Sequence, residues 1–147
     1  MDTKKMTMAW LGGFLVMFVL GGIWHNFVMM DYNMAAYADV NLPEEEFSLA
    51  LIAFGYLILS FMMSYMYPIG FGGGSAIKEG LRFGVMLGIF MSFSKAFIFA
   101  GAYKMPLDAN LIDAVYHVIE LGIGGIVIAK IYGLGGENEA SAETDSD

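Results

Sequence analysis

Residues 111–132 read LIDAVYHVIELGIGGIVIAKIY, a run long enough to cross a ~30 Å hydrocarbon core as one helix. The run carries Asp113, His117 and Glu120 near its start, at offsets of four and three, so the three side chains share one helical face beside Tyr116. Three further segments of similar length and apolarity precede it, at about residues 8–30, 47–67 and 81–102. Backbone groups cannot stay unpaired in lipid, so each is expected to be a helix. The predicted fold class is all-α: a four-helix transmembrane bundle of up-down topology, with a four-span domain over residues 1–133 and an acidic disordered tail over 134–147.

Composition agrees. The 147 residues are 58% hydrophobic and 15% charged, with a mean hydropathy of +0.63. A soluble domain of this size could not hide so much apolar surface. With no cysteine, disulfides, thiolate metal sites and cysteine nucleophiles are excluded. The net charge of −8 comes mainly from the tail and from the loop holding Asp39, Glu44, Glu45 and Glu46. Acidic ends of this kind are solvated segments. Seven Lys and Arg spread along the chain do not form a nucleic-acid surface, so no nucleic acid is expected as a partner.

The connections are written in turn chemistry. Pro43 precedes three glutamates, Pro68 is expected to end the second span, and Gly70, Gly72, Gly73 and Gly74 make a loop. Lys104 to Asp108 forms a tight turn between spans three and four. Lys4, Lys5, Lys78, Arg82 and Lys130 fall on one side of the bilayer, and Lys104 alone on the other. By the positive-inside rule both termini are cytoplasmic. Lys4 and Lys5 before an apolar run, followed by Ala36-Tyr37-Ala38, resemble a signal peptide, but residues 8–30 exceed the 7–15 of such a core, so the segment reads as an uncleaved span.

Small residues recur at every fourth position in span three: Gly80, Gly84, Gly88, Ser92 and Ala96. That spacing lets another helix backbone approach closely. Gly125 and Ala129 repeat the device on span four, and Gly12, Gly13, Gly21 and Gly22 on span one. The thirteen methionines suit Cu(I) chemically but show no paired arrangement, and adaptable packing accounts for them.

Ionisable groups inside spans are costly and therefore mark candidate sites. The cluster comprises His25 and Asn26 on span one, Lys95 on span three, and Asp113, Tyr116, His117 and Glu120 on span four. Counted at 1.5 Å per residue, they form a ladder from about 15 Å (Glu120) to about 25 Å (His25, Asp113) from the cytoplasmic side. Lys95 needs a counter-ion, which Glu120 or Asp113 could supply. Tyr56, Ser60 and Ser64 share a face of span two and could complete the lining. The same groups can be read as an internal ion pair, a proton or ion relay, a pocket for a small anion, or a metal site of His25, Asp113, His117 and Glu120. Lys95 at the same level opposes a dication unless Asp113 or Glu120 neutralises it, and no metal and no cofactor is expected.

Trp24-His25-Asn26-Phe27 at the end of span one, an acidic outer loop with a tyrosine, and EGLRFGVMLGIFM (Glu79 to Met91) together resemble a family of small four-helix bacterial membrane proteins of unknown function. The resemblance covers about residues 8–133. It implies the topology above and a bacterial inner-membrane location, and it assigns no activity or site residue. Residues 12–27 and 83–97 also share a rhythm that a duplicated hairpin would produce.

Two functions follow from these features. The first is an accessory or structural subunit of a membrane assembly. The second is a small carrier or permeation unit built on an intramembrane His/Lys/Glu relay. Either favours a homo-oligomer or a larger complex in the lipid bilayer, because four helices rarely enclose an aqueous path. No nucleophile with a base and an orienting group is legible, so catalysis is not expected.

Overall fold

The computed structural model describes residues 2–133, and the tail over 134–147 lies outside them. α1 (Thr3–Ile23) runs on through a π-helical turn (Trp24–Val28) and is followed by a short helix, α2 (Met30–Ala36). A 3-10 turn (Glu44–Glu46) leads to α3 (Leu49–Gly70). α4 (Ala76–Gly88) continues through a second π turn (Ile89–Phe93) into α5 (Ser94–Ala102), and α6 (Leu107–Tyr132) completes the bundle. Four of these continuous rods, Thr3–Val28, Leu49–Gly70, Ala76–Ala102 and Leu107–Tyr132, are long and apolar enough to cross a membrane, and there is no strand among the described residues. The chain is an all-α multi-pass bundle, with apolar side chains such as Phe54, Phe90 and Ile98 standing on its outer surface.

Neighbouring spans are antiparallel. Gly12 faces Ile131 while Gly21 faces Glu120, so α1 rises as α6 descends. Gly80 meets Gly125 and Gly88 meets Val118, so α4 is also antiparallel to α6. α6 lies between α4 and α1 and is the most buried span, with α3 resting mainly on α1. Lys5 donates to the Tyr132 carbonyl at 3.0 Å, tying the start of α1 to the end of α6.

The α4–α6 seam is backbone against backbone. A Cβ on Gly80 would stand 2.5 Å from the Gly125 carbonyl oxygen, and one on Gly84 would collide with the Leu121 carbonyl. Gly80, Gly84, Gly88, Ser92 and Ala96 are all buried. In an unbroken α-helix, four-residue steps rotate by about 40° each, so a stripe this long would wind out of the interface. The π turn at Ile89–Phe93 holds more residues per turn and cancels part of that drift. The other π turn, Trp24–Val28, closed by Met29 N–H to Trp24 O at 2.9 Å, follows the buried stripe Ala9, Gly13, Met17 and Gly21 of α1.

Pro68 does not end span two: α3 continues through it to Gly70. Proline takes the N–H that would have bonded the carbonyl four residues back, which is that of Ser64. The Tyr132 hydroxyl donates to that carbonyl at 2.7 Å, so α6 satisfies what the proline leaves open. Trp10 Nε1 donates to Leu57 O at 2.8 Å and Ser60 Oγ to Trp10 O at 2.6 Å, fastening α1 to α3. Ser60 thus serves helix contact, and Ser64 is buried at this seam.

Two outcomes are expected in mild detergent. Gly84→Leu should destabilise the bundle by about 1–3 kcal/mol in reversible unfolding, as overpacking does, whereas Gly55→Ala, with open space around it, should match wild type. Tyr132→Phe should cost about 1–3 kcal/mol by leaving a buried carbonyl unpaired. In a Pro68→Ala background most of that cost should vanish, because residue 68 regains its N–H.

Candidate functional site

α6 carries the cluster on the face that meets α1 and α3. Glu120 is completely buried. In hydrocarbon an unpartnered carboxyl is prohibitive, so its donors must come from the protein. Tyr56 Oη donates to Oε1 at 3.0 Å, Tyr116 Oη to the same oxygen at 3.2 Å, and His117 Nδ1 lies 2.7 Å from Oε2. Gly21 leaves the room for this: a Cβ there would strike the Tyr56 hydroxyl and stand 3.1 Å from Glu120 Oε1. Trp24 stacks flat on Tyr116, ring centroids 4.4 Å apart, and closes the site on that side.

Beyond His117 the contacts loosen. His117 Nε2 stands 3.4 Å from Asp113 Oδ2, His25 Nε2 3.7 Å from Asp113 Oδ1, and Lys95 Nζ 4.0 Å from Asp113 Oδ2. All three exceed the 2.7–3.2 Å of a good N–H···O bond. Side-chain exposure rises along the same path, from 0% at Glu120 through 19% at Asp113 and His117 to 41% at His25 and 46% at Lys95. Asp113 Oδ1 and Asn110 Nδ2 are buried without a hydrogen-bond partner among the described residues.

α2 folds over this open end. Asn33 places its amide 3.4 Å from His25 Nδ1, Tyr32 Oη donates to Asp108 Oδ2 at 3.3 Å, and Tyr37 Oη donates to Asn110 Oδ1 at 3.3 Å. Burial first, and then the charge of Asp113, push the Tyr37 phenol up to about 12, so it stays a hydrogen-bond donor at neutral pH.

The structure therefore brings His25, Lys95, Asp113, Tyr116, His117 and Glu120 together and leaves Asn26 out. Asn26 is exposed and bonds back to Gly22 O at 2.9 Å, one turn down its own helix. Of the two carboxyls proposed for Lys95, Asp113 is the one within ion-pair reach. Tyr56 joins the lining, whereas Ser60 is engaged with Trp10. Sequence reasoning missed Asn110, although it lies three residues before Asp113 on the same face. It also missed Asn33 and Tyr37, whose placement depends on how the loop after span one folds back. Neither π turn has a sequence signal of its own.

Two open, apolar hollows lie beside the cluster, and the first of them shares Tyr116 with it. One is lined by Trp24, Leu111, Ile112, Val115, Tyr116 and Ile119, the other by Ile89, Phe93, Val115, Val118 and Ile119. Both flank an exposed ridge of α6 formed by Val115 and Ile119.

No curated protein and no solved structure matches the chain. The profile of a protein family of unknown function, DUF1761, matches residues 8–129, which takes in most or all of each of the four spans and every residue of the cluster. The chain belongs to that family.

Proposed function

We propose that the protein is a membrane-embedded binding unit that takes a small charged solute at Asp113, His25 and Lys95, with Glu120 as the fixed base of the site. The carrying observation is the contrast within one cluster. Glu120 is sealed by three partners at 2.7–3.2 Å, whereas Asp113 faces three cationic or basic groups at 3.4–4.0 Å and keeps an unpartnered buried oxygen. An accessory subunit whose charges serve packing alone accounts for the sealed half. It does not account for the open half, since an ion pair kept only for stability gains by closing to contact. The relay reading changes in the same way, because Lys95 pairs with Asp113 and not with Glu120.

In this reading both termini are cytoplasmic and the α2 end faces outward, in a bacterial cytoplasmic membrane. The excess of Lys and Arg at the terminal end and the family resemblance support it. The unit works as a homo-oligomer or within a larger membrane assembly. That four helices rarely enclose an aqueous path supports that part.

The absence of native cysteine makes orientation directly measurable. In intact cells a membrane-impermeant maleimide should label Asp39→Cys and spare Ser75→Cys, and the reverse pattern would invert the topology. The division of the cluster is checked by thermal unfolding in detergent. Glu120→Gln should lose several degrees, because one buried acceptor becomes an amide facing three donors. Asp113→Asn and Lys95→Met should stay within about 0.5 kcal/mol of wild type, the range of substitutions that break no structural contact. Equal losses at all three positions would make the whole cluster structural and overturn the binding reading.

A further inference from the structure

The open half of the cluster has the donor set of a divalent metal site. His25, Asp113 and His117 each offer one ligand atom, and these atoms lie within 4.8 Å of one another. Ligands bound tetrahedrally at about 2.0–2.1 Å stand about 3.3 Å apart. Asp113 Oδ2 stands 3.4 Å from His117 Nε2 and Asp113 Oδ1 3.7 Å from His25 Nε2, so each oxygen of the one carboxylate faces a different imidazole at about that spacing. Both separations are longer than the 2.7–3.2 Å of a good N–H···O bond, so Asp113 and the two imidazoles stand together without closing on one another. Asp113 Oδ1, buried and unpartnered, is the independent sign that something else completes them.

The backing of the ligands fits as well. His117 Nδ1 lies 2.7 Å from Glu120 Oε2, so an Nδ1–H donated there would leave Nε2, the nitrogen facing Asp113, free to ligate. A buried carboxylate behind a histidine is the usual outer partner of a metal-bound imidazole. The Asn33 amide nitrogen lies 3.4 Å from His25 Nδ1, so His25 would ligate through Nε2 only with that amide turned to present its oxygen to Nδ1–H. With Glu120 spent on His117, Tyr56 and Tyr116, the ligand set is two imidazoles and one carboxylate rather than the four residues counted from sequence.

We propose that His25, Asp113 and His117 bind one divalent first-row cation of the zinc type, with Glu120 as the positioning residue behind His117. Imidazole and carboxylate together select such ions over Ca²⁺ and Mg²⁺, which prefer all-oxygen sites. Three protein ligands leave a coordination position open, which marks an exchangeable rather than a closed structural site. Lys95 is the opposing charge. Its side chain is 46% exposed on a flexible stem, so it withdraws when the cation enters and stands in as Asp113's counter-ion when it leaves. The exposed Asp31, Asp39, Glu45 and Glu46 raise the local cation concentration at this end. The proposal rests on the binding reading above and specifies its ligand.

The test is calorimetric titration of Zn²⁺ into the tag-free full chain in mild detergent, with Co²⁺ absorption as a second probe of imidazole coordination. Wild type should bind one ion per chain. His25→Ala and Asp113→Asn should abolish binding at concentrations that saturate wild type, with unchanged circular dichroism. Glu120→Gln should weaken it about 10–100-fold, as loss of an outer partner does, and Lys95→Met should tighten it. No binding by wild type, or undiminished binding by His25→Ala and Asp113→Asn, would overturn the metal site. If metal fails while Asp113→Asn and Lys95→Met keep wild-type stability, the binding reading survives with another solute. If those variants are as unstable as Glu120→Gln, both fall.

Discussion

A carboxyl group sealed inside a lipid-embedded bundle must find every hydrogen-bond donor within the protein, because hydrocarbon supplies none. Glu120 sets that condition for this fold. Its two oxygens draw Tyr56 from α3, and Tyr116 and His117 from its own helix, to one point. Gly21 on α1 must then stay without a side chain to let the Tyr56 hydroxyl in. Three of the four spans are thereby placed in register by one buried group. The flat stack of Trp24 on Tyr116 follows, since Tyr116 is held by its hydroxyl and offers its face to α1.

The fourth span is held by a different kind of contact. α4 meets α6 through glycine faces, where dispersion between close backbones replaces side-chain hydrogen bonding. α6 therefore serves two demands at once. One side, with Gly122 and Gly125, is smooth enough to be approached, and the other carries the polar ladder from Asn110 to Glu120. The ladder and the glycines occupy successive halves of the helix, so the polar site lies toward the α2 end and the tightest packing toward the termini.

Four spans, their helical character and the convergence of charges on α6 were legible in the sequence, because they follow from apolar run length and from helical offsets. So was the small-residue stripe from Gly80 to Ala96. What kept that stripe buried was not legible: the π turns depend on tertiary contacts, and nothing in IFMSF or WHNFV forces one. Pro68 was misjudged for a related reason. Its helix-breaking effect is local, while its remedy, the Tyr132 hydroxyl, comes from 64 residues further along the chain. Asn33, Tyr37 and Asn110 escaped notice because they are ordinary polar residues whose importance arises only when α2 folds back over the site.

The π turns also bear on where the site can be. Each precedes or contains the one polar residue its span contributes, His25 within the first and Lys95 two residues after the second. By slowing the helix rotation they keep both spans turned toward α6 at the depth of Asp113. Without them the packing stripes near the termini and the polar groups near α2 would point in different directions. A rod held at one end by tight packing can present a charge at the other end only if its register is corrected between the two. The correction lies just before the charge in span three and around it in span one.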